Sequence, residues 1–358
     1  MIAAGHTWSV KWKFGAILAG VAMSSVGLVA FVPVMKAGAA NILSATALAY
    51  WLLTVVLPAS CLPVAAWFAV RRAWRWCGVV AGVGAALVGF RVYATHIEPN
   101  RLVVRRVVVR SPGIDRPIRI LHMSDIQCAE VGAFQERAFA RAAELKADIV
   151  FHTGDMLQPQ APATWETETP KIARLWATLH PPLGKWNVLG DVDRAMAPQL
   201  LVSGPSAMGG LRTLSSADVA LTAGATRLRI LGLDPIQSHG GHGVSGRVSR
   251  FMRESTGTRD FNIVFGHGPD YVLGLSPGAP SIDLCLAGHT HGGQVRLPWY
   301  GPPVTLARVP RAWARGFTKR PGFRLNVSAG LGAERAYNLP PIRVNCPPEM
   351  TLIELLPK

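Results

Sequence analysis

The first third of the chain lacks acidic residues, and this feature most limits what the sequence can fold into. Residues 1–97 contain no Asp or Glu. Within them, Phe14–Met35 is a run of 22 residues without a charge, and Ala37–Val70 is a second such run of 34. About 20 apolar residues are enough for a helix to cross a bilayer. The sequence therefore predicts membrane-spanning helices ahead of any globular domain.

A third apolar run, Trp76–Phe90, is shorter than the other two. It spans a bilayer if Arg91 extends its charged end to the interface and the helix continues toward Ile97. A cleavable signal peptide is disfavoured, because the first run is long and two more follow it. We therefore predict a membrane anchor over residues 1–97, with two spans as the alternative to three. The three spans are predicted at about 14–35, 44–70 and 76–95.

The basic residues that flank these runs predict their orientation. Lys11 and Lys13 precede the first run, and Arg71, Arg72 and Arg75 lie between the second and the third. With both groups in the cytoplasm, the rest of the chain lies outside the cell membrane after three spans and inside it after two. The runs carry no Asp, Glu or Lys at mid-span, which favours an anchor over a transporter.

The rest of the chain is moderately basic. Of the net charge of +16, residues 1–97 account for +7 and the remainder for +9. Residues 98–116 are predicted to be a basic linker that either contacts anionic lipid headgroups or is simply solvated. Its arginines include Arg101, Arg105, Arg106 and Arg110. Proximity to lipid explains the basic excess and no nucleic-acid-binding motif is evident, so no nucleic-acid partner is expected. Five cysteines without a Cys-x-x-Cys pair argue against a disulfide framework or a cysteine-bound zinc.

Residues 117–358 alternate between predicted strands and helices, which indicates an α/β domain. Five successive strands end in an acidic residue or a histidine. These strand ends carry Asp125, Asp155, Asp191, His267 and the pair His289 and His291. A lone Asp after a strand is usually a turn or capping residue, but that explanation is poor for five in succession. Ligands of such sheets collect at the carboxyl ends of the strands, and three carboxylates with three imidazoles fit two divalent metals ~3.5–4 Å apart.

These residues resemble a known signature. In order along the chain stand Ser124-Asp125-x-Gln127, Thr153-Gly-Asp155, Gly190-Asp191-Val192-Asp193, Gly266-His267 and Gly288-His289-Thr-His291. This series is similar to that of the calcineurin-like metallophosphoesterase superfamily. The extension of the last motif to Pro298 and the tail around Asn345–Glu349 resemble its membrane-associated bacterial branch. The resemblance covers about residues 117–358 and implies an α/β sandwich of two β-sheets flanked by helices, here preceded by transmembrane helices.

The resemblance also implies roles for individual residues. Asp125 and His291 would bind a first metal, Asp191, His267 and His289 a second, and Asp155 would bridge the two. A metal-held hydroxide would attack phosphorus in line. The two divalent ions would be Mn, Fe, Zn or Mg.

Three positions depart from the family pattern. Gln127 stands where the family usually has a histidine ligand, so its amide oxygen is the predicted ligand and harder metals are favoured. Asp191 replaces a usual asparagine and adds negative charge, which Arg194 would partly offset unless it is an ordinary surface arginine. Val192 replaces a histidine that contacts phosphate and can protonate the leaving oxygen, a contribution of ~10²–10⁴-fold. Asp193 and His152 are the predicted substitutes for that acid.

Two functions follow from this reading. The first is a membrane-anchored, metal-dependent phosphoesterase that hydrolyses a phosphodiester or pyrophosphate. The alternative is a degenerate homologue that binds metal or a phosphorylated ligand with little or no turnover. The expected substrate is a phosphorylated small molecule or a lipid-linked phosphate. The expected location is the bacterial inner membrane, multi-pass, with the catalytic domain on the extracytoplasmic side.

Overall fold

A computed structural model describes residues 48–196, 208–240, 246–275, 282–335 and 339–358. The first predicted span, residues 14–35, lies outside these ranges. The chain divides into two compact units. One comprises Met1–Ile97 with Arg335–Pro340, and the other comprises Glu98–Glu334 with Pro341–Lys358.

The described part of the first unit is helical. Helix α1 (Leu57–Val70) follows a π-helical turn, and helix α2 (Trp74–Val92) continues through further helical turns. The continuous segments Leu48–Val70 and Trp74–Asn100 have 23 and 27 residues and are long and apolar enough to cross a membrane. The run that looked short in sequence is therefore long enough, because its helix extends beyond Phe90. Two such helices suggest that the protein associates with a membrane.

The second unit contains two six-stranded sheets. The first has the order β1-β12-β2-β3-β4-β5, with β1 (Val103–Ser111), β2 (Ile118–Met123), β3 (Ile149–His152), β4 (Lys185–Asn187), β5 (Leu211–Thr213) and β12 (Glu349–Pro357). The second has the order β10-β11-β9-β8-β7-β6, with β6 (Ala217–Ala223), β7 (Thr226–Gly232), β8 (Phe261–Phe265), β9 (Ile282–Ala287), β10 (Gly316–Arg320) and β11 (Phe323–Val327). Strands β2 to β5 are parallel, and so are β7, β8, β9 and β11.

The two sheets share a buried apolar core. Phe151 of β3 and Phe265 of β8 meet edge to face, with ring centroids 4.9 Å apart. Ile120, Leu228 and Leu284 are fully buried in the same cluster. Because alternate residues of a strand point to opposite faces, the other face of each sheet needs its own cover. The α-helices among the described residues of this unit are α3 (Ala133–Glu144), α4 (Trp165–Ala177), α5 (Asp191–Met196), α6 (Pro235–Ser238) and α7 (Gly246–Glu254).

Helices α3 and α4 pack on the first sheet, and α7 packs on the second. Phe139 and Trp176 join Leu121 and Val150 in one cluster, and Phe251 joins Val264 in another. Layers of helix, sheet, sheet and helix confirm the predicted α/β sandwich.

The predicted linker at residues 98–116 is wrong as to structure, because it contains strand β1. This strand pairs in parallel with β12 along its full length. Arg105, which is partly exposed, forms an ion pair with the buried Glu349, and Arg106 lies 4.0 Å from Glu354. The arginines therefore belong to an edge strand, where charged side chains are common because one flank has no neighbour.

Candidate metal centre

The predicted ligands come from the carboxyl ends of neighbouring strands. Asp125 follows β2, Asp155 follows β3, and Asp191 begins α5 soon after β4. His267 follows β8, and His289 follows β9. These strands are parallel neighbours within each sheet, so their carboxyl ends lie at one edge. The two sheets therefore bring all five loops to one place.

Backbone strain is concentrated at this place. A positive φ is unfavourable for residues with a Cβ and persists where the surrounding structure enforces it, commonly at functional sites. Five predicted ligands adopt it. They are Asp125 (46°), Gln127 (33°), Asp155 (57°), His289 (65°) and His291 (46°). The fold thus holds these side chains at a cost, which indicates that their positions matter.

Two glycines allow the loops to approach closely. A Cβ on Gly190 would overlap the carboxylate of Asp155, and a Cβ on Gly288 would overlap Ser124 and the carboxylate of Asp125. Any larger residue at either position would displace a predicted ligand.

The side chains form two adjacent clusters. Asp125, Asp155 and His267 make one, and Asp191, His239, His267 and His289 make the other; in each, one ligand atom per residue lies within 4.8 Å of the others. His267 belongs to both. Its Nε2 lies 3.3 Å from Asp155 Oδ2 and 2.9 Å from Asp191 Oδ1.

His291 lies beside Asp125. Its Nε2 lies 3.6 Å from Asp125 Oδ1, and its buried Nδ1 has no hydrogen-bond partner in the described structure. All six carboxylates and imidazoles predicted from the strand ends are thus in one region. His291 lies beside Asp125, and His267 and His289 lie beside Asp191, but His267 also belongs to the cluster of Asp125 and Asp155, so the predicted division between two metals stays a prediction.

Main-chain carbonyls fix the two central imidazoles. The Nδ1 of His267 donates to Thr153 O at 2.7 Å, and the Nε2 of His289 donates to Leu306 O at 3.1 Å. The other nitrogen of each ring faces the cluster, where His289 Nδ1 is 3.2 Å from His267 Nε2. Histidines that bind metals are usually held in this way, with the second nitrogen donating to a fixed acceptor.

The charges in the site favour a cation. Burial raises the pKa of Asp125 to about 7. For His267, burial opposes protonation, but the carboxylates of Asp155 and Asp191 raise its pKa well above the usual value. For Asp191, burial likewise acts against ionisation, yet hydrogen bonds from His267 and His289 hold its pKa far below the usual range. Buried carboxylates that attract protons in this way fit a site for divalent metal ions.

A buried polar chain orients Asp125. Ser124 Oγ donates to its carboxylate and in turn accepts from Thr153 Oγ1 at 2.6 Å. The Nε2 of His122 lies 3.0 Å from the same Thr153 oxygen. On the other side, the main-chain nitrogen of His289 donates to Asp125 Oδ1 at 3.0 Å. This last bond links the first sheet's ligand directly to the second sheet's loop.

Asp193 does not have the surroundings that we expected of a catalytic acid. Its buried carboxylate accepts from the main-chain nitrogens of Asp155 (2.8 Å), Met156 (2.9 Å) and Gly190 (3.0 Å). These bonds hold the Asp155 turn against the Gly190 turn, so the contacts favour a positioning role. Arg194 is exposed in α5.

His152 occupies a core position. It is fully buried, its Nδ1 lies 2.7 Å from Asn187 Oδ1, and its ring meets Trp176 edge to face. Burial lowers its pKa to about 4. Its neutral, packed state disfavours it as a substitute for the histidine missing at Val192.

Gln127 is buried, and its amide nitrogen donates to Glu334 Oε2 at 2.8 Å. The orientation set by this bond leaves the amide oxygen as the end of the side chain suited to a metal.

His239 is a site residue that sequence reasoning missed. It follows α6, in the loop after β7, and therefore lies at the same edge of the second sheet as His267 and His289. The available signal was its place after a further strand of that sheet, but six residues lie between it and the end of β7.

This fold and this candidate site are typical of metal-dependent hydrolases built on two facing sheets. Residues 118–293 match the family model of the calcineurin-like phosphoesterases. The chain belongs to this superfamily.

Three comparisons give the range of similarity. The uncharacterized metallophosphoesterase YkuE of Bacillus subtilis is 27% identical over 290 residues, covering 78% of this chain and 94% of its own length. UDP-2,3-diacylglucosamine pyrophosphatase LpxG of Chlamydia trachomatis is 26% identical over 321 residues, covering 74% of this chain and 92% of its own length. The solved NAD nucleotidase NadN of Haemophilus influenzae is 12% identical, with a TM-score of 0.42 over 61% of this chain and 46% of that one.

Proposed function

We propose that this protein is a membrane-anchored phosphoesterase that uses two divalent metals to hydrolyse a phosphodiester or pyrophosphate bond. The convergence of Asp125, Asp155 and Asp191 from one sheet with His267, His289 and His291 from the other carries the proposal. Two divalent metals held there would activate water and neutralise the charge of the phosphate.

The ligand assignment is proposed from the pairings in the site. Asp125 and His291 hold the first metal together with the amide oxygen of Gln127. Asp191, His267 and His289 hold the second, and Asp155 lies between the two. Carboxylate and amide oxygens suit Mg and Mn, whereas imidazole also suits Zn and Fe, so all four metals remain candidates.

The missing acid limits the substrate. Asp193 accepts three main-chain hydrogen bonds and His152 is packed against Trp176, so neither is suited to protonating a leaving oxygen. A leaving group of low pKa, such as an aryl oxide or a nucleoside phosphate, departs without a proton. A pyrophosphate provides such a leaving group, and the relative LpxG is by its name a pyrophosphatase.

Activity is tested with the full-length protein in detergent, loaded with Mn²⁺ and given an activated aryl phosphodiester. Asp155→Asn is expected to lower kcat/KM by more than about 100-fold, because even outer partners of metal ligands contribute 10–100-fold. Asp260→Asn is the matched control, since Asp260 precedes β8 at its other end. Equal rates for wild type and Asp155→Asn would refute the proposal.

A lipid-linked substrate is the second part of the proposal. The loop at residues 294–313, which we call the rim loop, contains three basic residues and no acidic one. It lies beside the site, because Leu306 O accepts the hydrogen bond from His289. Its tip exposes Trp299 fully (104%), and Arg311 stacks on the ring of Tyr300 at 4.0 Å. Exposed aromatic and basic side chains suit the surface of an anionic bilayer.

The rim loop is tested by comparing two substrates in nanodiscs of anionic phospholipid. Trp299→Ala is expected to raise KM about tenfold for a diacylated sugar nucleotide and to leave KM for the soluble aryl diester unchanged. Val108→Ala, at an exposed apolar residue of β1, is the control. A parallel change for both substrates would contradict a role in lipid recognition.

The anchor and its orientation complete the proposal. Three spans, at about 14–35, 44–70 and 76–95, would leave the domain that begins near Glu98 on the extracytoplasmic side of a bacterial inner membrane. The two candidate spans among the described residues, Leu48–Val70 and Trp74–Asn100, overlap the second and third of these segments, and the orientation rests on the flanking basic residues alone. A protease applied to intact spheroplasts would cleave the domain if it faces outward and spare it if it faces the cytoplasm.

A binding module without turnover is the second candidate function, and the valine at position 192 favours it. It predicts that the full-length protein binds metal through Asp155 but hydrolyses neither substrate.

A further inference from the structure

We propose that His239 is an additional protein ligand of the second metal and coordinates it through Nε2. The inference rests on the proposed metal site and goes beyond the seven residues assigned to it.

His239 lies directly against the second cluster. Its ring meets the ring of His289 edge to face with centroids 4.4 Å apart, and its centroid is 5.6 Å from that of His267. One ligand atom from each of these histidines and from Asp191 lies within 4.8 Å of the others. A single ion therefore fits among four donors.

The tautomer of His239 suits a ligand. Its Nδ1 lies 2.7 Å from Pro235 O, and a carbonyl can only accept, so Nδ1 carries the proton. Its Nε2 is buried and has no hydrogen-bond partner in the described structure. A buried lone pair without a partner is unfavourable, and a bound cation would satisfy it.

All three imidazoles of this cluster follow the same pattern. His267 donates to Thr153 O, His289 to Leu306 O and His239 to Pro235 O, each through one ring nitrogen. Main-chain acceptors of this kind fix the orientation of ligating histidines.

A hydrogen bond also joins the loop that carries His239 to the loop that carries His267. Ser238 Oγ accepts from Gly268 N at 3.2 Å and donates to Pro235 O at 3.1 Å. A Cβ on Gly268 would lie 3.0 Å from the His239 ring, which is closer than normal packing allows. The two imidazoles are therefore held at a fixed separation.

This assignment makes the two metal sites unequal. The second would have three imidazoles and Asp191, whereas the first would have one imidazole, Asp125 and an amide, with Asp155 shared. Imidazole nitrogens bind Co²⁺ and Zn²⁺ more strongly than amide oxygens do. We therefore infer that the first equivalent of metal occupies the site that contains His239.

The test is a Co²⁺ titration of the full-length protein in detergent, followed by visible absorption and calorimetry. His239→Gln is expected to weaken the tighter equivalent ~10–100-fold and to change its absorption band, leaving the weaker equivalent unaltered. His180→Gln, at an exposed histidine after α4, is the control. Unchanged affinity and spectrum in His239→Gln would overturn the proposal, and so would a loss of hydrolysis with normal Co²⁺ binding, which would instead assign His239 to the substrate.

A second measurement guards against a folding defect in that variant. X-ray absorption of wild-type protein with one equivalent of Zn²⁺ is expected to fit three imidazoles, and a fit to two would overturn the proposal. Gly268→Ala, which retains His239 but pushes on its ring, should also weaken the tighter equivalent. This proposal and the proposed hydrolytic function can fail independently, because Co²⁺ binding can depend on His239 whether or not the protein hydrolyses either substrate.

Discussion

The two sheets contribute different chemistry to the metal centre. Asp125, Asp155 and Asp191 all follow strands of the first sheet, whereas His239, His267, His289 and His291 all follow strands of the second. Main-chain N–H groups and hydroxyls hold the carboxylate side, as at Asp125. Main-chain carbonyls hold the imidazole side, as at His267. Neither sheet alone supplies both carboxylates and imidazoles, so the candidate metal centre forms only where the two sheets pack together.

The difference also appears in exposure. Asp125 and Asp155 are buried, while the side chain of Asp191 is 53% exposed. The first metal would thus be the more enclosed, and the second would lie closer to solvent and to an entering phosphate. This contrast suggests that the second site, with more nitrogen donors, binds metal first and that substrate approaches from its side.

Metal removal should have the largest effect, because the ions would tie the two sheets together. Each site saturated at 100 times its Kd stabilises the folded state by about 2.7 kcal/mol, so chelation should cost about 5 kcal/mol in total. Amide hydrogen exchange in β3 and β8 measures this, and both strands should lose protection together. Loss of protection in β8 alone would show that the sheets are not coupled through the metals.

Among single substitutions remote from the proposed ligands, Glu349→Gln should lower the stability of the fold most. The buried carboxylate of Glu349 pairs with Arg105 and Arg315 and accepts from Ala329 N. Removing its charge leaves the buried Arg315 without its counter-ion, at a cost of about 3–5 kcal/mol.

Glu354→Gln is the matched control for that change. Glu354 is also on β12 and faces an arginine of β1, but its pair with Arg106 is long and partly exposed. Glu354→Gln should lower the free energy of unfolding by no more than about 1 kcal/mol. Thermal melting of the full-length protein compares the two variants, and similar shifts in Tm would contradict the role assigned to Glu349.

Val192→His should raise turnover of substrates with poor leaving groups about tenfold, less than the 10²–10⁴-fold that a well-placed acid supplies. The main-chain nitrogen of Val192 donates to Asp155 Oδ1 at 3.0 Å, so a side chain here begins close to the site. Alkyl and aryl phosphodiesters should be compared in parallel. A gain confined to the aryl substrate would show that the new histidine does not act as an acid.

Proton release on metal binding should show the smallest effect. Burial raises the pKa of metal-free Asp125 to about 7, so this carboxyl is mostly protonated at pH 6 and mostly ionised at pH 8. Because a metal binds the ionised form, its affinity should rise as the pH passes through about 7, and binding should release up to about one more proton at pH 6 than at pH 8. Calorimetry in buffers of different ionisation enthalpy measures this number, and Asp125→Asn should reduce the difference.

Local sequence determined much of this protein. Runs without charge predicted the helices of the first unit, because length and apolarity alone decide whether a segment can cross a bilayer. Alternating strands and helices, with Asp or His at successive strand ends, predicted the α/β sandwich and pointed to the six carboxylates and imidazoles that the structure brings together in the candidate metal centre. Each of these signals lies within a few neighbouring residues and so can be read without knowing the fold.

Only the tertiary structure decided the rest. Strand β1 looked like a basic linker because its partner, β12, lies more than 200 residues away in sequence. Asp193 looked like a substitute acid from sequence, but two of its three main-chain donors, Asp155 and Met156, come from another loop and hold it in place. His239 joins the site because the turn at Gly268, some 30 residues further along the chain, packs against its ring. These outcomes depend on contacts between distant segments, which residue type and local periodicity do not encode.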